Sequence, residues 1–205
     1  ESLARFRERL TGVPADRVRA VGTDTFRRIK SPRDVVARAS AALGVPIEIL
    51  PGGEEARLIY LGVAHEEPAI DGRRLVIDVG GGSTECILGK RSTALYKDSL
   101  RMGCVGFTQR FFPDGRLTRK AFRKAEVAAK LEFEPMQRRY REAGWEECVG
   151  SSGTMNAVCE LARGLGAAEG MLTLRDVKAL RRALIAAERV DKLDLAGLQP
   201  DRAEV

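Results

Sequence analysis

Hydrophobic positions recur along the chain with the period of a helix in some segments and with that of a strand in others. The succession of these segments predicts an α/β protein. Leu3, Phe6 and Leu10 have the spacing of one helix face. Ser31-Pro32 is a typical helix start, with serine before the first turn and proline within it. The first half is predicted to contain helices at about 2–10, 32–43 and 54–64, with strands at 17–22 and 46–50. Alternating strands and helices of this kind favour a parallel sheet.

The second half continues the mixed pattern after a polar stretch at 66–72, which we interpret as a linker. The predicted elements are strands at 74–79, 84–88, 94–100 and 145–149, and helices at 105–112, 118–143, 154–164 and 174–189. Pro135 is expected to kink or split the long helix. Thr173 and Asp176 approximate a capping box before the last helix. The polar stretch at 66–72 is therefore a candidate domain boundary.

Composition and cysteine usage narrow the class of protein. The chain has 205 residues, 44% of them hydrophobic and 31% charged, which suits one globular domain or two small ones. No apolar run approaches the roughly 18 residues of a membrane span, and no signal segment opens the chain. The four cysteines lack close pairing and are expected to be reduced core thiols. We therefore predict a soluble, cytoplasmic protein. The single histidine, His65, excludes a multi-histidine metal site and is expected to be non-catalytic.

The charge balance favours an anionic partner. The formal net charge is +6 and the sequence pI is about 9.4. Such a balance suits nucleic acid, phosphorylated small molecules or phosphate chains, and it is equally compatible with a solvated basic surface. Aromatic residues are only 5% of the chain, and no aromatic and basic platform supports specific nucleic-acid binding.

The strongest local signal is the run VIDVGGGSTE at 76–85. Asp78 ends an apolar strand and is followed by Gly80, Gly81, Gly82 and Ser83. Glycines permit positive φ and close approach, so that successive N–H groups can bind an anion. Asp78 could hold a metal-bound water beside that anion. The alternative is a plain glycine hairpin.

Three further features could join such a site. Ser152, Gly153 and Thr154 form a second loop that leads from a strand into a helix, where N–H groups are free to bind phosphate. Glu54 and Glu55 open a helix, and their spacing allows only one of them to face a cleft as a general base. A favourable effect of both carboxylates on the helix dipole explains them equally well. Arg27 follows a strand and could clamp phosphate.

These motifs together resemble the exopolyphosphatase / guanosine pentaphosphate phosphohydrolase family. The resemblance rests on VGTDTFR at 21–27, PIEILPGGEEARLIYLGV at 46–63, LVIDVGGGSTE at 75–85, RMGCVGFTQRFFPDG at 101–115 and GWEECVGSSGTMNAV at 144–158. It implies the sugar kinase / heat-shock protein 70 / actin-like (ribonuclease H-like) fold, with parts of two α/β domains. Residues 1–68 would be the C-terminal part of domain I, and residues 71–205 the N-terminal and middle part of domain II. It also implies Mg²⁺-dependent removal of a terminal phosphate, and a homodimer in the full-length parent.

The resemblance also implies roles for individual residues. Glu55 matches the catalytic base and Arg27 the cleft arginine. Asp78 and Glu85 match acidic positions linked to metal and water. Gly80–Ser83 and Ser152–Thr154 match two phosphate-binding loops.

The chain also departs from the family pattern. It lacks the family's opening Asp-x-Gly-Ser-Asn-Ser turn and the Gly-rich loop beyond residue 205, and Pro51 stands where a small serine-like residue is expected. We therefore expect an interior fragment that is inactive or inefficient by itself.

The function predicted from these features is hydrolysis of the terminal phosphate of inorganic polyphosphate, because a long polyanion makes the best use of a basic cleft. The alternative substrate is pppGpp. A kinase of the same fold that uses ATP, and a phosphate-chain or nucleotide sensor that does not hydrolyse its ligand, also remain open.

Overall fold

The computed structural model describes residues 2–199. Within these residues the chain divides into two compact units, the first ending at Glu55 and the second beginning at Ala56. The division falls inside one helix, whereas the sequence predicts a boundary between residues 68 and 71. That predicted domain boundary stays a prediction, and the two units are described separately.

The first unit is a small layer of helices on a two-stranded sheet. Its elements are α1 (Ser2–Arg9), β1 (Ala20–Gly22), α2 (Asp24–Arg27), α3 (Pro32–Leu43), β2 (Ile47–Ile49) and the first turn of α4 (Gly52–Glu66). β1 and β2 pair in parallel, as the strand and helix succession predicts. α3 begins at Pro32 and ends at Gly44, whose φ of 86° is the left-handed conformation that stops a helix. Although α1 forms, none of its residues is buried.

The second unit is built on a four-stranded mixed sheet. Its strands are β3 (Arg73–Val79), β4 (Thr84–Lys90), β5 (Thr93–Leu100) and β6 (Glu147–Ser151), in the spatial order β5-β4-β3-β6. β3, β4 and β5 are antiparallel neighbours, and β6 runs parallel to β3. The β3–β4 hairpin and the parallel return of β6 therefore bring the two glycine- and serine-containing loops to one end of the sheet.

The helices of the second unit are the rest of α4, α5 (Cys104–Phe111), α6 (Arg119–Ala143), α7 (Gly153–Gly164) and α8 (Leu174–Ala187). α6 continues through Pro135 without interruption, so this proline does not split the helix, and the alternative of a kink stays a prediction. Tertiary packing explains this, because Met136 and Tyr140 in the following turn are buried against the sheet. The capping box of Thr173 and Asp176 is present at the start of α8. No helix within residues 2–199 is both long and apolar enough to cross a membrane.

Both faces of the sheet are covered by helices, since the side chains of each strand alternate between them. On one face, Met136 and Tyr140 of α6 pack against Leu75, Cys86, Leu88 and Leu100. On the other face, Ala56 and Tyr60 of α4 pack against Val76 and Ile87. The strands are therefore buried in the way that an α/β fold requires.

The cysteines are free, but they are not all in the core. Cys86 is 1% exposed, and its burial raises the pKa of its thiol to about 12, so it is chemically inert. Cys104 is partly buried, whereas Cys148 and Cys159 are exposed. The prediction that the thiols are reduced agrees with the structure. The prediction that they lie in the core is wrong for Cys148 and Cys159. Cys148 lies in β6 and Cys159 in α7, at positions where the side chains remain open to solvent.

Candidate functional site

In the first unit the two predicted functional residues contact each other. Arg27, the last residue of α2, donates a hydrogen bond from Nη1 to Oε2 of Glu55 at 2.7 Å and another to the backbone oxygen of Leu50 at 2.8 Å. Their side chains are 22% and 14% exposed. Glu55 thus has a fixed orientation in the first turn of α4, and its partner is a permanent cation. The arrangement positions a carboxylate and a guanidinium side by side, where the former could orient a water and the latter a phosphate oxygen.

In the second unit a row of four polar side chains crosses the sheet. Strand register places Asp78 of β3 opposite Glu85 of β4 and Ser151 of β6, and places Glu85 opposite Ser99 of β5. The Ser99 hydroxyl donates to Oε1 of Glu85 at 2.7 Å, and the side chain of Ser151 hydrogen-bonds to Asp78. Glu85 is only 1% exposed, and Asp78 is half-buried. Two carboxylates therefore lie on neighbouring strands at the end of a covered sheet.

Such a carboxylate pair is the kind of donor set that Mg²⁺ uses. Like charges directly opposite on neighbouring strands repel one another, and a divalent cation would remove the repulsion. Mg²⁺ is commonly held by one or two carboxylates together with substrate phosphates. Within residues 2–199 no cluster of three or more His, Cys, Asp or Glu side chains occurs. Asp78 and Glu85 fit Mg²⁺ in this partial manner, and its presence stays a prediction.

The turn Gly80–Ser83 presents unused backbone donors. Gly80 N–H bonds to the oxygen of Ser83 at 2.9 Å and closes the hairpin. The N–H groups of Gly81, Gly82 and Ser83 donate no hydrogen bond to any group within residues 2–199. The expected positive φ is absent, because none of the three glycines adopts it. The prediction of positive φ is therefore wrong, and anion binding by this turn stays a prediction that rests on its free N–H groups.

The segment that follows β5 supports this turn, and sequence reasoning missed it. Cys104 N–H bonds to Gly80 oxygen at 2.9 Å, and Val105 N–H bonds to Gly81 oxygen at 3.1 Å. A Cβ on Gly103 would lie 2.5 Å from the Gly81 carbonyl carbon and from the Gly82 nitrogen. Only glycine permits so close an approach of two backbones. The sequence signal for this contact is Gly103 within RMGCVG at 101–106, a segment that served above only as part of the family resemblance.

The loop Ser152–Thr154 connects β6 to the N-terminus of α7. Ser152 has φ 99° and ψ 159°, a conformation nearly restricted to glycine. Its hydroxyl donates to Val79 oxygen at 2.9 Å and accepts from Met155 N–H at 3.3 Å. Both hydrogen bonds of this hydroxyl therefore hold the start of α7 beside the end of β3. The Thr154 hydroxyl donates to Sγ of Cys104 at 3.3 Å, and Gly153 provides a free N–H at the helix N-terminus.

The protonation of Asp78 gives a test of the carboxylate pair. Burial raises the pKa of Asp78, and the hydrogen bond from Ser151 partly opposes the rise. Protonated Asp78 therefore favours the folded state. Its contribution to the free energy of unfolding is fully present below about pH 4 and is lost as the pH rises through the folded-state pKa. We expect Asp78→Asn to unfold at a higher temperature than wild type at pH 8 without Mg²⁺, and the difference to vanish towards pH 4.

Thermal unfolding with added Mg²⁺ completes this test. Millimolar Mg²⁺ should raise the Tm of wild type by a few degrees and should leave that of Asp78→Asn unchanged, because a ligand that binds only the folded state stabilises it. Asp71→Asn is the control, since that side chain is 98% exposed and outside the row. An equal Mg²⁺ shift in both variants would exclude Asp78 as a ligand.

Comparisons with known proteins identify the family to which the chain is similar. The model of the Ppx/GppA phosphatase family matches residues 1–205. Proteins named guanosine-5'-triphosphate,3'-diphosphate pyrophosphatase from Vibrio cholerae and from Photobacterium profundum are each 42% identical over the whole chain, which spans 41% of their length.

The fold is also that of solved structures. An exopolyphosphatase from Cytophaga hutchinsonii is 26% identical with a TM-score of 0.80, over 99% of this chain and 68% of that one. A Ppx/GppA family member from Aquifex aeolicus is 25% identical with a TM-score of 0.74, over 100% and 67%. These similarities confirm the predicted fold class and the predicted family.

Proposed function

Because the chain belongs to the Ppx/GppA phosphatase family, we propose that it takes part in hydrolysis of a terminal phosphoanhydride, with pppGpp as the substrate. The named relatives at 42% identity act on this nucleotide according to their names. They favour the substrate that the sequence analysis held as the alternative over polyphosphate. Inorganic polyphosphate remains the second candidate, because the Cytophaga hutchinsonii structure carries the name exopolyphosphatase and the chain is basic.

The observation that carries the proposal is the free backbone of the two loops beside a carboxylate pair. The N–H groups of Gly81, Gly82 and Ser83 and of Gly153 would bind the oxygens of the terminal phosphate, where negative charge is concentrated during transfer. Bound at Asp78 and Glu85, Mg²⁺ would neutralise phosphate charge. Phosphoryl transfer requires mainly positioning and electrostatic stabilisation, which backbone donors provide without rearranging.

Glu55 would supply the remaining group, a base for the attacking water. Its carboxylate is fixed by Arg27 and can accept a proton as the water attacks. The guanidinium of Arg27, which contacts this carboxylate, is suited to binding a phosphate oxygen. A protein that only binds a phosphate chain has no need of such a base, which argues against the sensor function.

Phosphate release provides the test of substrate and reaction. With Mg²⁺, we expect the full-length protein that contains this chain to release phosphate from pppGpp with a higher kcat/KM than from long-chain polyphosphate, and without any acceptor. Preference for polyphosphate would select the second candidate. Transfer to an acceptor from ATP, without release to water, would select the kinase, and release from no substrate would contradict the proposal for this chain.

A further inference from the structure

A concave surface between α6 and α8 has an unusual excess of positive charge. Its volume is about 550 Å³, and its charged lining residues are Arg119, Arg123 and Glu126 of α6 with Arg181 and Arg182 of α8. Four guanidinium groups thus face one carboxylate. We call this surface the arginine pocket. It shares no residue with the loops Gly80–Ser83 and Ser152–Thr154, so its function is separate from the proposed hydrolysis.

The positive charge of the arginine pocket is largely unpaired. Arg181 forms an ion pair with Glu126. Arg119, Arg123 and Arg182 form no ion pair or side-chain hydrogen bond with any group in the described part of the chain. In addition, the Nε of Arg181 is buried without a hydrogen-bond partner.

This arrangement reduces the stability of the protein itself. Arg119 and Arg123 lie in the first two turns of α6, and no acidic residue occupies its first turn. The N-terminus of a helix carries partial positive charge, so cations there are unfavourable. The guanidinium groups on α8 add repulsion across the pocket. A bound anion would reverse both effects.

We propose that the arginine pocket binds a phosphate chain, either an inorganic oligophosphate or the triphosphate of a nucleotide. Guanidinium groups match the geometry of phosphate oxygens and can donate two hydrogen bonds to one group. The volume lies within the range of small-ligand sites. A single-stranded nucleic acid would need stacking surfaces, and the one aromatic residue of the lining, Phe122, already packs edge-on against Phe112.

Calorimetric titration of the 205-residue chain with inorganic tripolyphosphate, without Mg²⁺, tests the proposal independently of turnover. The pocket variant is Arg123→Gln with Arg182→Gln. Its control is Arg138→Gln with Arg175→Gln, which removes the same charge from the same two helices outside the pocket. We expect binding to weaken about tenfold or more in the pocket variant and to be unchanged in the control, since charged hydrogen bonds are lost only in the former.

The NMR signal of the Arg181 Nε–H group gives a second, local readout, and Arg181→Lys assigns it. The signal should shift with tripolyphosphate in wild type and in the control, and should stay fixed in the pocket variant. Parallel titration with guanosine triphosphate distinguishes the two possible ligands. Binding of tripolyphosphate and of guanosine triphosphate would show that the pocket recognises the phosphate chain alone. Binding of guanosine triphosphate but not of tripolyphosphate would show that it recognises a nucleoside triphosphate. Equal weakening in both double variants, no weakening in either, or tighter pocket-dependent binding of single-stranded RNA would overturn the proposal.

Discussion

Replacing Glu55 by glutamine is expected to lower kcat for phosphate release from pppGpp by about 10²–10⁴-fold, with KM nearly unchanged. Glutamine keeps the size of the side chain and can still accept the hydrogen bond from Arg27, so α4 and the Leu50 contact should be retained. What it loses is the ability to take a proton from water. A kinetic titration of wild type and variant, with the Tm of each, measures the effect.

The neighbouring carboxylate provides the matched control. Glu54 lies in the same turn of α4, about 100° around the helix axis from Glu55. Glu54→Gln should therefore retain most of the kcat. Comparable losses in the two variants would assign both carboxylates to helix stability. A parallel rise in KM with Glu55→Gln would identify a binding residue and would contradict its role as a base.

A single methyl group at Gly103 is expected to reduce kcat/KM by about a hundredfold. The new Cβ of Gly103→Ala would lie 2.5 Å from the backbone of Gly81 and Gly82, which must move to accommodate it. Displacement of catalytic donors by about 1 Å has costs of this size. The free N–H groups of the turn would leave their positions, although no side chain of the site has changed. Steady-state kinetics on pppGpp and thermal unfolding should be measured together.

Gly106→Ala is the control for this substitution, because a Cβ at that position meets nothing within 4 Å. Gly106 lies inside α5, where alanine is favoured over glycine by about 0.5–1 kcal/mol. The variant also keeps the N–H that Gly106 donates to Gly81 oxygen at 3.3 Å. We expect unchanged kinetics and an equal or higher Tm. Full activity in Gly103→Ala would show that the turn does not need the support of this segment.

Much of the fold follows from the sequence because periodicity and helix signals act locally. The run 75–79 is apolar enough to identify a covered strand, and Thr173 with Asp176 identifies the start of α8. The predicted ends of helices and strands were less accurate where tertiary contacts decide where an element begins. The predicted strand at 17–22 reduces to Ala20–Gly22, because Ala15–Arg17 forms a short 3₁₀ turn and only the last three residues pair with β2.

The candidate site was predictable in its residue types but not in its construction. Asp78 and the two loops were identified from their order along the chain, and Glu85 from the family resemblance. The register that places Asp78 beside Glu85 and Ser151 depends on pairing between distant strands, which no local pattern contains. Likewise, the contact of Gly103 with Gly81 joins two segments that are separated by the whole β4–β5 hairpin, and the pairing of Arg27 with Glu55 joins α2 to α4.

The support beneath the turn Gly80–Ser83 is made of backbone atoms, which has a consequence for how freely the protein can vary. Cys104 and Val105 hold the turn through their N–H groups, and these are common to every residue except proline. In a saturation mutagenesis experiment, both positions should therefore accept many side chains and reject proline. Position 103 should accept glycine alone. The precision of the site would then depend on a few main-chain contacts, while most of the surrounding side chains remain open to change.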